Sequence, residues 1–200
     1  MKKCVLLVLF CTVPVLLAGF FHSVPVDPIA SCVLVYNAES RGSGCIVGMN
    51  CVLTARHVAD QPDLVVRTFD GDEHRVVWVQ KDPDSDLALL YVEGRFDERP
   101  LLFDRRPLTV REEITVIGTP QEQTLQGCVL TGRVVKVDWV CPDYGYNIGA
   151  INLDVLDCHA APGCSGGPVL DRHGHVRGVF IIGIGYNLGA AVPVEELDVK

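Results

Sequence analysis

The sequence predicts an all-β fold: two six-stranded antiparallel β-barrels joined by one crossover. Three observations lead there. Short runs rich in β-branched and aromatic residues recur along the chain, with turn residues between them. Helix signals are scarce until the last few residues. A polar, proline-bounded stretch, Glu98–Pro107, lies near the middle with six strand-like runs on either side of it. Six and six suit two small closed sheets.

In the first half the predicted strands are Cys32–Tyr36, Gly44–Val47, Val52–Thr54, Leu64–Phe69, His74–Gln80 and Leu87–Val92. Gly48-Met49-Asn50 supplies a tight turn between the second and third, and Asp70-Gly71-Asp72 a hairpin turn between the fourth and fifth. Ala55–Ala59 is expected to form a single helical turn after the third strand. In the second half the strands are Ile114–Ile117, Gly127–Val137, Ile148–Asp154, Pro168–Leu170, Val176–Ile182 and Ala190–Pro193. Val194–Val199 opens a short C-terminal helix. The folded unit is therefore expected over residues 29–200, with barrel one at about 31–97 and barrel two at about 108–196.

The first 22 residues have a different character. Met1-Lys2-Lys3 is a short basic start, and Cys4 to Phe21 is apolar without a charge. This is the pattern of a signal peptide, with small residues Ala18 and Gly19 beside a cleavage point. No clean A-x-A triplet marks that point, so a retained signal anchor stays open, with residues 4–21 in a membrane. Either reading sends the folded part out of the cytoplasm, secreted or periplasmic in the first case and membrane-anchored in the second.

Charge and cysteine content narrow the partners. A net charge of −8, without a basic run, argues against nucleic acid and against an anionic membrane surface. Seven cysteines lie outside the leader: Cys32, Cys45, Cys51, Cys128, Cys141, Cys158 and Cys164. After export some disulfides are expected, and the odd number leaves at least one thiol over. Cys45 and Cys51 flank the Gly48 turn and Cys158 and Cys164 bracket one loop, so both are candidate pairs. CxxC and CxxH spacings are absent, and no metal or other cofactor is implied. Oligomeric state has no signature in the sequence.

Three segments carry chemistry. In Pro162-Gly163-Cys164-Ser165-Gly166-Gly167-Pro168 a serine sits among glycines, so a substrate backbone can approach closely and N–H groups can converge on one point. Leu53-Thr54-Ala55-Arg56-His57-Val58 offers a histidine, and Asp84-Ser85-Asp86-Leu87-Ala88-Leu89-Leu90 an aspartate at the start of an apolar strand. A serine hydroxyl becomes nucleophilic at neutral pH when a histidine takes its proton and a carboxylate orients that histidine. Asp86 is preferred because it directly precedes Leu87–Leu90, whereas Asp82 and Asp84 read as solvated turn residues. His74, His173 and His175 sit beside turns and read as solvated, and Arg56 as pointing to solvent.

These segments, with Gly42-Ser43-Gly44, Thr115-Val116-Ile117-Gly118 and Gly189-Ala190-Ala191-Val192-Pro193-Val194, make the chain resemble the chymotrypsin-like (trypsin-fold) serine peptidases. Within them it is most similar to the HtrA-like branch, here without a PDZ module, and the likeness runs from about Ser31 to Leu197. The resemblance implies a serine endopeptidase acting on protein or peptide substrates, with His57 as general base, Asp86 as its orienting carboxylate and Ser165 as nucleophile. It also implies an oxyanion hole from the N–H groups of Gly163 and Ser165. His159, six residues before the serine, is implied at the base of the specificity pocket, with Ile182 and Gly183 on its wall. The wall is largely apolar, so small to medium apolar side chains are expected first and acidic ones, met by His159, second.

Two departures from the family pattern matter. Zymogens of this fold keep an aspartate just before the nucleophile and the HtrA-like branch an asparagine, whereas this chain has Cys164. No Ile-Val-Gly-Gly start is present, so activation by a new N-terminal amine is not expected. A catalytically degenerate binding module on the same fold, possible where the oxyanion loop is unusual, stays open beside the enzyme.

Overall fold

A computed structural model describes residues 26–120, 125–142, 145, 150–158, 160–195 and 197. The leader and His159 lie outside them. Twelve strands close into two barrels. The first holds β1 (Cys32–Tyr36), β2 (Arg41–Gly48), β3 (Cys51–Ala55), β4 (Val65–Arg67), β5 (Glu73–Lys81) and β6 (Leu87–Val92), hydrogen-bonded in the order β1-β2-β3-β6-β5-β4. The second holds β7 (Glu113–Gly118), β8 (Cys128–Cys141), β9 (Ile151–Leu156), β10 (Pro168–Leu170), β11 (Val176–Ile184) and β12 (Leu188–Pro193), in the order β10-β11-β12-β9-β8-β7. All pairings between these strands are antiparallel, as the alternation of strand runs and turns predicts.

Strand composition sorts the faces. β3 and β6 are buried along nearly their whole length, which is why they read as continuous apolar runs. β5 and β8 alternate between half-buried and exposed residues and form solvated walls. One apolar cluster crosses from barrel to barrel, joining Leu53, Leu87 and Leu89 to Leu153, Val179 and Val192. A second, smaller cluster fills barrel two around Val116, Leu156, Cys164 and Phe180. The cleft between barrels thus rests on a continuous packed seam, whose burial is the main stabilising term.

Several expectations need correction. The connection between barrels is more than a polar link: Phe96 and Leu101 are buried, Leu101 N–H donates to the Ile46 carbonyl at 2.8 Å, and Phe103 pairs with Val176. His74 is half-buried and meets the Phe96 ring edge-on at 4.7 Å, because β5 turns it toward the incoming crossover. The third strand of barrel two begins at Ile151, and the expected start at Ile148 lies outside the described residues. Val194 and Glu195 form a turn, closed by Leu197 N–H on the Val194 carbonyl at 3.2 Å, and most of the predicted terminal helix is not described.

The seven cysteines outside the leader are free thiols. Cys45 lies across from Cys32 on one side and Leu53 on the other, while a bulge between Ile46 and Gly48 sets Cys51 across from Gly48. Cys45 and Cys51 are therefore diagonal neighbours and do not face each other. Cys158 and Cys164 are both buried in the barrel-two core without a bond between them. Burial pushes the Cys158 and Cys164 thiols up to about 11, so both are neutral groups at pH 7.

Candidate active site

His57 stands on the single turn α1 (Arg56–Ala59), which directly follows β3. Asp86 directly precedes β6, and β3 pairs with β6 so that Ala55 lies across from Leu87. The pairing brings the two polar residues together at one end of barrel one. Asp86 is fully buried and grips the histidine twice: Oδ2 lies 2.6 Å from His57 Nδ1, and Oδ1 accepts the His57 N–H at 2.9 Å. Its own backbone carbonyl accepts the Arg56 N–H at 3.1 Å. The ring is held in one orientation, with Nδ1 bound to the carboxylate.

Ser165 comes from barrel two, on the loop before β10. Two glycines in this loop take the left-handed region, Gly163 at φ +100 and Gly166 at φ +91. A Cβ at Gly166 would overlap the Ser43 carbonyl oxygen and Thr54 Oγ1, so the loop is seated directly on barrel one. Gly42 closes the other side, with room for no Cβ between Val58 of the histidine turn and the Ser165 carbonyl. The Ser165 loop thus meets barrel one at Ser43 and Thr54, with Gly42 between it and the His57 turn.

The hydrogen bonds of the Ser165 loop are selective. Cys164 N–H donates to the Ala161 carbonyl at 3.1 Å, Gly166 N–H to Phe180 at 2.7 Å and Gly167 N–H to Cys164 at 3.0 Å. Among the described residues the N–H groups of Gly163 and Ser165 donate to nothing. A buried loop seldom leaves donors unmatched, and this pair is the one the resemblance assigned. The Ser165 hydroxyl donates to the Ile181 carbonyl at 3.0 Å.

Beside the loop, Ile182 and Gly183 are exposed on β11, and Gly183 has its nearest obstacle, the Ala160 carbonyl oxygen, at 3.8 Å from a would-be Cβ. Opposite them Gly189 on β12 lies flat against the Phe180 ring. His159, expected at the pocket base, falls outside the described residues.

Two residues escaped the sequence reading. Arg56 is half-buried: its Nη1 donates to the carbonyls of Asp82 at 3.1 Å and Pro83 at 3.3 Å and ties down the loop that presents Asp86. That corrects the solvent-facing expectation, and its only signal was a long cation next to the histidine. Ser43 is 1% exposed and makes four hydrogen bonds, three of them to barrel two and one to Thr54 on β3. Its signal was a hydroxyl between two glycines in an otherwise apolar strand.

Two closed six-stranded barrels with a histidine–carboxylate pair on one and a glycine-framed serine on the other define a protein of the trypsin-like architecture. The model of the trypsin-like peptidase domain matches residues 42–179, and the chain belongs to that family. It is 34% identical over 175 residues to a protein named as a probable periplasmic serine endoprotease, DegP-like, of Pseudomonas putida (strain W619), covering 82% of this chain and 34% of the relative. It is 28% identical over 155 residues to the serine protease Do-like HtrB of Bacillus subtilis (strain 168), covering 74% of this chain and 34% of the relative. The chain thus spans about a third of the length of these relatives. Among solved structures it superposes on Rv3671c from M. tuberculosis H37Rv in an inactive form, with a TM-score of 0.73 and 22% identity over 85% of this chain and 84% of the other. A serine endoprotease from Yersinia pestis gives a TM-score of 0.69 at 22% identity over 86% and 64%. The structural likenesses carry the fold.

Proposed function

We propose that the chain is a serine endopeptidase that cleaves protein or peptide substrates through an acyl-enzyme. The observation that carries this reading is the fully buried Asp86 gripping both the Nδ1 and the backbone N–H of His57, at 2.6 and 2.9 Å, beside the Ser165 loop. A buried carboxylate with two bonds to one histidine fixes a tautomer, which a structural histidine does not need. In the reaction, the Ser165 hydroxyl leaves the Ile181 carbonyl and gives its proton to His57 Nε2 as Oγ attacks the scissile carbonyl. The carbonyl oxygen gathers negative charge and takes hydrogen bonds from the Gly163 and Ser165 N–H groups. His57 then protonates the leaving amine, and water repeats the sequence to release the acid. Asp86 stays ionised throughout and stabilises the imidazolium.

For primary specificity, the exposed Ile182 and Gly183 on β11 beside the loop support an apolar wall. Small to medium apolar side chains suit it. The leader reading, residues 1–22, and the periplasmic name of the Pseudomonas relatives support a location outside the cytoplasm for the folded unit of residues 29–200, released or anchored through residues 4–21. Among the described residues no helix is long and apolar enough to cross a membrane.

The test is cleavage of a peptide library by the purified protein beside Ser165→Ala, with a fluorophosphonate label on both. Cuts after small to medium apolar residues and labelling of the wild type alone are expected. A folded wild type that neither cleaves nor labels overturns the reading and leaves a binding module in its place.

A further inference from the structure

We propose that Ser43, a barrel-one residue, is a positioning residue for the oxyanion site, an inference that rests on the endopeptidase reading above. The argument comes from which peptide planes of the Ser165 loop are held and by what. The plane between Gly163 and Cys164 is fastened at both ends: its carbonyl accepts the Ser43 Oγ–H at 2.8 Å, and its N–H donates to Ala161. The plane between Ser165 and Gly166 is fastened likewise: its carbonyl accepts the Ser43 N–H at 2.7 Å, and its N–H donates to Phe180. The planes that carry the two unmatched donors, Gly163 N–H and Ser165 N–H, are the alternate ones; among the described residues that of Ser165 is held only at its Cys164 carbonyl, by the Gly167 N–H at 3.0 Å. Ser43 therefore supplies one anchor to each plane held at both ends, and the free donors are aimed by the planes that flank them.

The hydroxyl is itself locked. Ser43 Oγ accepts the Thr119 N–H at 2.7 Å, which leaves its proton for the Gly163 carbonyl, and the Ser43 carbonyl accepts Thr54 Oγ1 at 2.6 Å. All of these groups are buried, so water does not replace a lost partner without rearrangement. Gly163 is the point where the loop would give. Its φ of +100 is open only to glycine, and glycine turns over at little steric expense once a plane beside it is released. Without the Ser43 hydroxyl the Gly163 N–H loses its direction while His57, Asp86 and the Ser165 side chain keep theirs.

The experiment compares wild type with Ser43→Ala and Ser43→Thr on a peptide substrate. One deleted oxyanion donor lowers turnover by about 10²–10³-fold, and a misdirected one by up to that amount. For Ser43→Ala, kcat should fall about 10–100-fold with KM within about threefold of wild type. Affinity for a peptide aldehyde, whose hemiacetal oxygen occupies the oxyanion site, should fall in step with kcat. Affinity for the cleaved product peptide should hold. Ser43→Thr restores the hydroxyl and should recover most of kcat, which a residue needed only for packing would not show. If alanine does not fold by circular dichroism, Ser43→Gly and Ser43→Cys carry the same comparison. An active wild type with kcat unchanged in a folded Ser43→Ala overturns this inference alone, as does a loss confined to KM or failure of all the variants to fold. A wild type without hydrolysis overturns the endopeptidase reading instead.

Discussion

Asp154 gives the sharpest stability prediction. It lies on β9, 4% exposed, and accepts a hydrogen bond from the Asp138 N–H at 3.3 Å. Burial, and then the nearby Glu195 and Asp138 carboxylates, push its carboxyl from 3.8 up to about 6. A pKa raised in the folded state means that the folded chain holds a proton the unfolded chain has released. The stabilisation is full below about pH 4 and is lost as pH rises through about 6. At 1.36 kcal/mol per pKa unit the loss by pH 7 is about 3 kcal/mol. Asp154→Asn keeps an oxygen for the Asp138 N–H and carries no charge. The variant should therefore be more stable than wild type at pH 7, by about 6–12 °C in melting temperature for a domain of this size. The gain should shrink toward zero near pH 4. Melts followed by circular dichroism from about pH 4 to 8 check both statements. A variant no more stable at pH 7, or a gain that does not change with pH, would refute the reasoning.

Other outcomes follow from the same geometry. Ser165→Ala should lower kcat on the order of 10⁶-fold, read by peptide cleavage, with an unchanged melting curve. Asp86→Asn should lower it about 10⁴-fold, because an amide facing Nδ1 favours the wrong tautomer. Gly166→Ala forces a Cβ into the Ser43 carbonyl at φ +91, so both activity and melting temperature should fall, the latter by several degrees. A few extra residues ahead of Ser23 should leave kcat/KM unchanged, since no N-terminal amine is needed to hold the Ser165 loop.

Most of the architecture was legible because it is written locally. Cys32–Tyr36, Leu87–Val92 and Pro168–Leu170 begin and end where turn residues say they should. His57, Asp86 and Ser165 each sit at a junction where a strand meets a turn. With one exception, what failed was set by partners distant in sequence. The Cys45–Cys51 pairing was a local misreading: the hairpin register sets Cys45 across from Leu53, two residues beyond Cys51. Arg56 was misread because its acceptors, the Asp82 and Pro83 carbonyls, arrive from 26 and 27 residues away. Ser43 reaches 120 residues to Gly163, and no periodicity within either segment records that contact.

Cys164 shows how the loop does without the aspartate of zymogens. Its side chain turns inward, fully buried in the barrel-two core, and packs so closely on Gly118 that a Cβ there would come within 2.9 Å of its Sγ. A charged carboxylate in that slot would be buried without a cation, at a cost of several kcal/mol, which a zymogen offsets with its new amine. A small neutral thiol needs no such partner, and the barrel-two contact is made once the chain folds. The opposite side of the loop is held from barrel one, by Ser43 and by the close seat of Gly166 on Thr54. One hold from each barrel means that the free Gly163 and Ser165 donors take their direction only when the barrels are docked. The shared apolar seam of Leu53, Leu89, Val179 and Val192 then does more than stabilise the fold. It sets the distance between the two halves of the proposed catalytic machinery, so a cavity cut into that seam should lower kcat before it unfolds the chain.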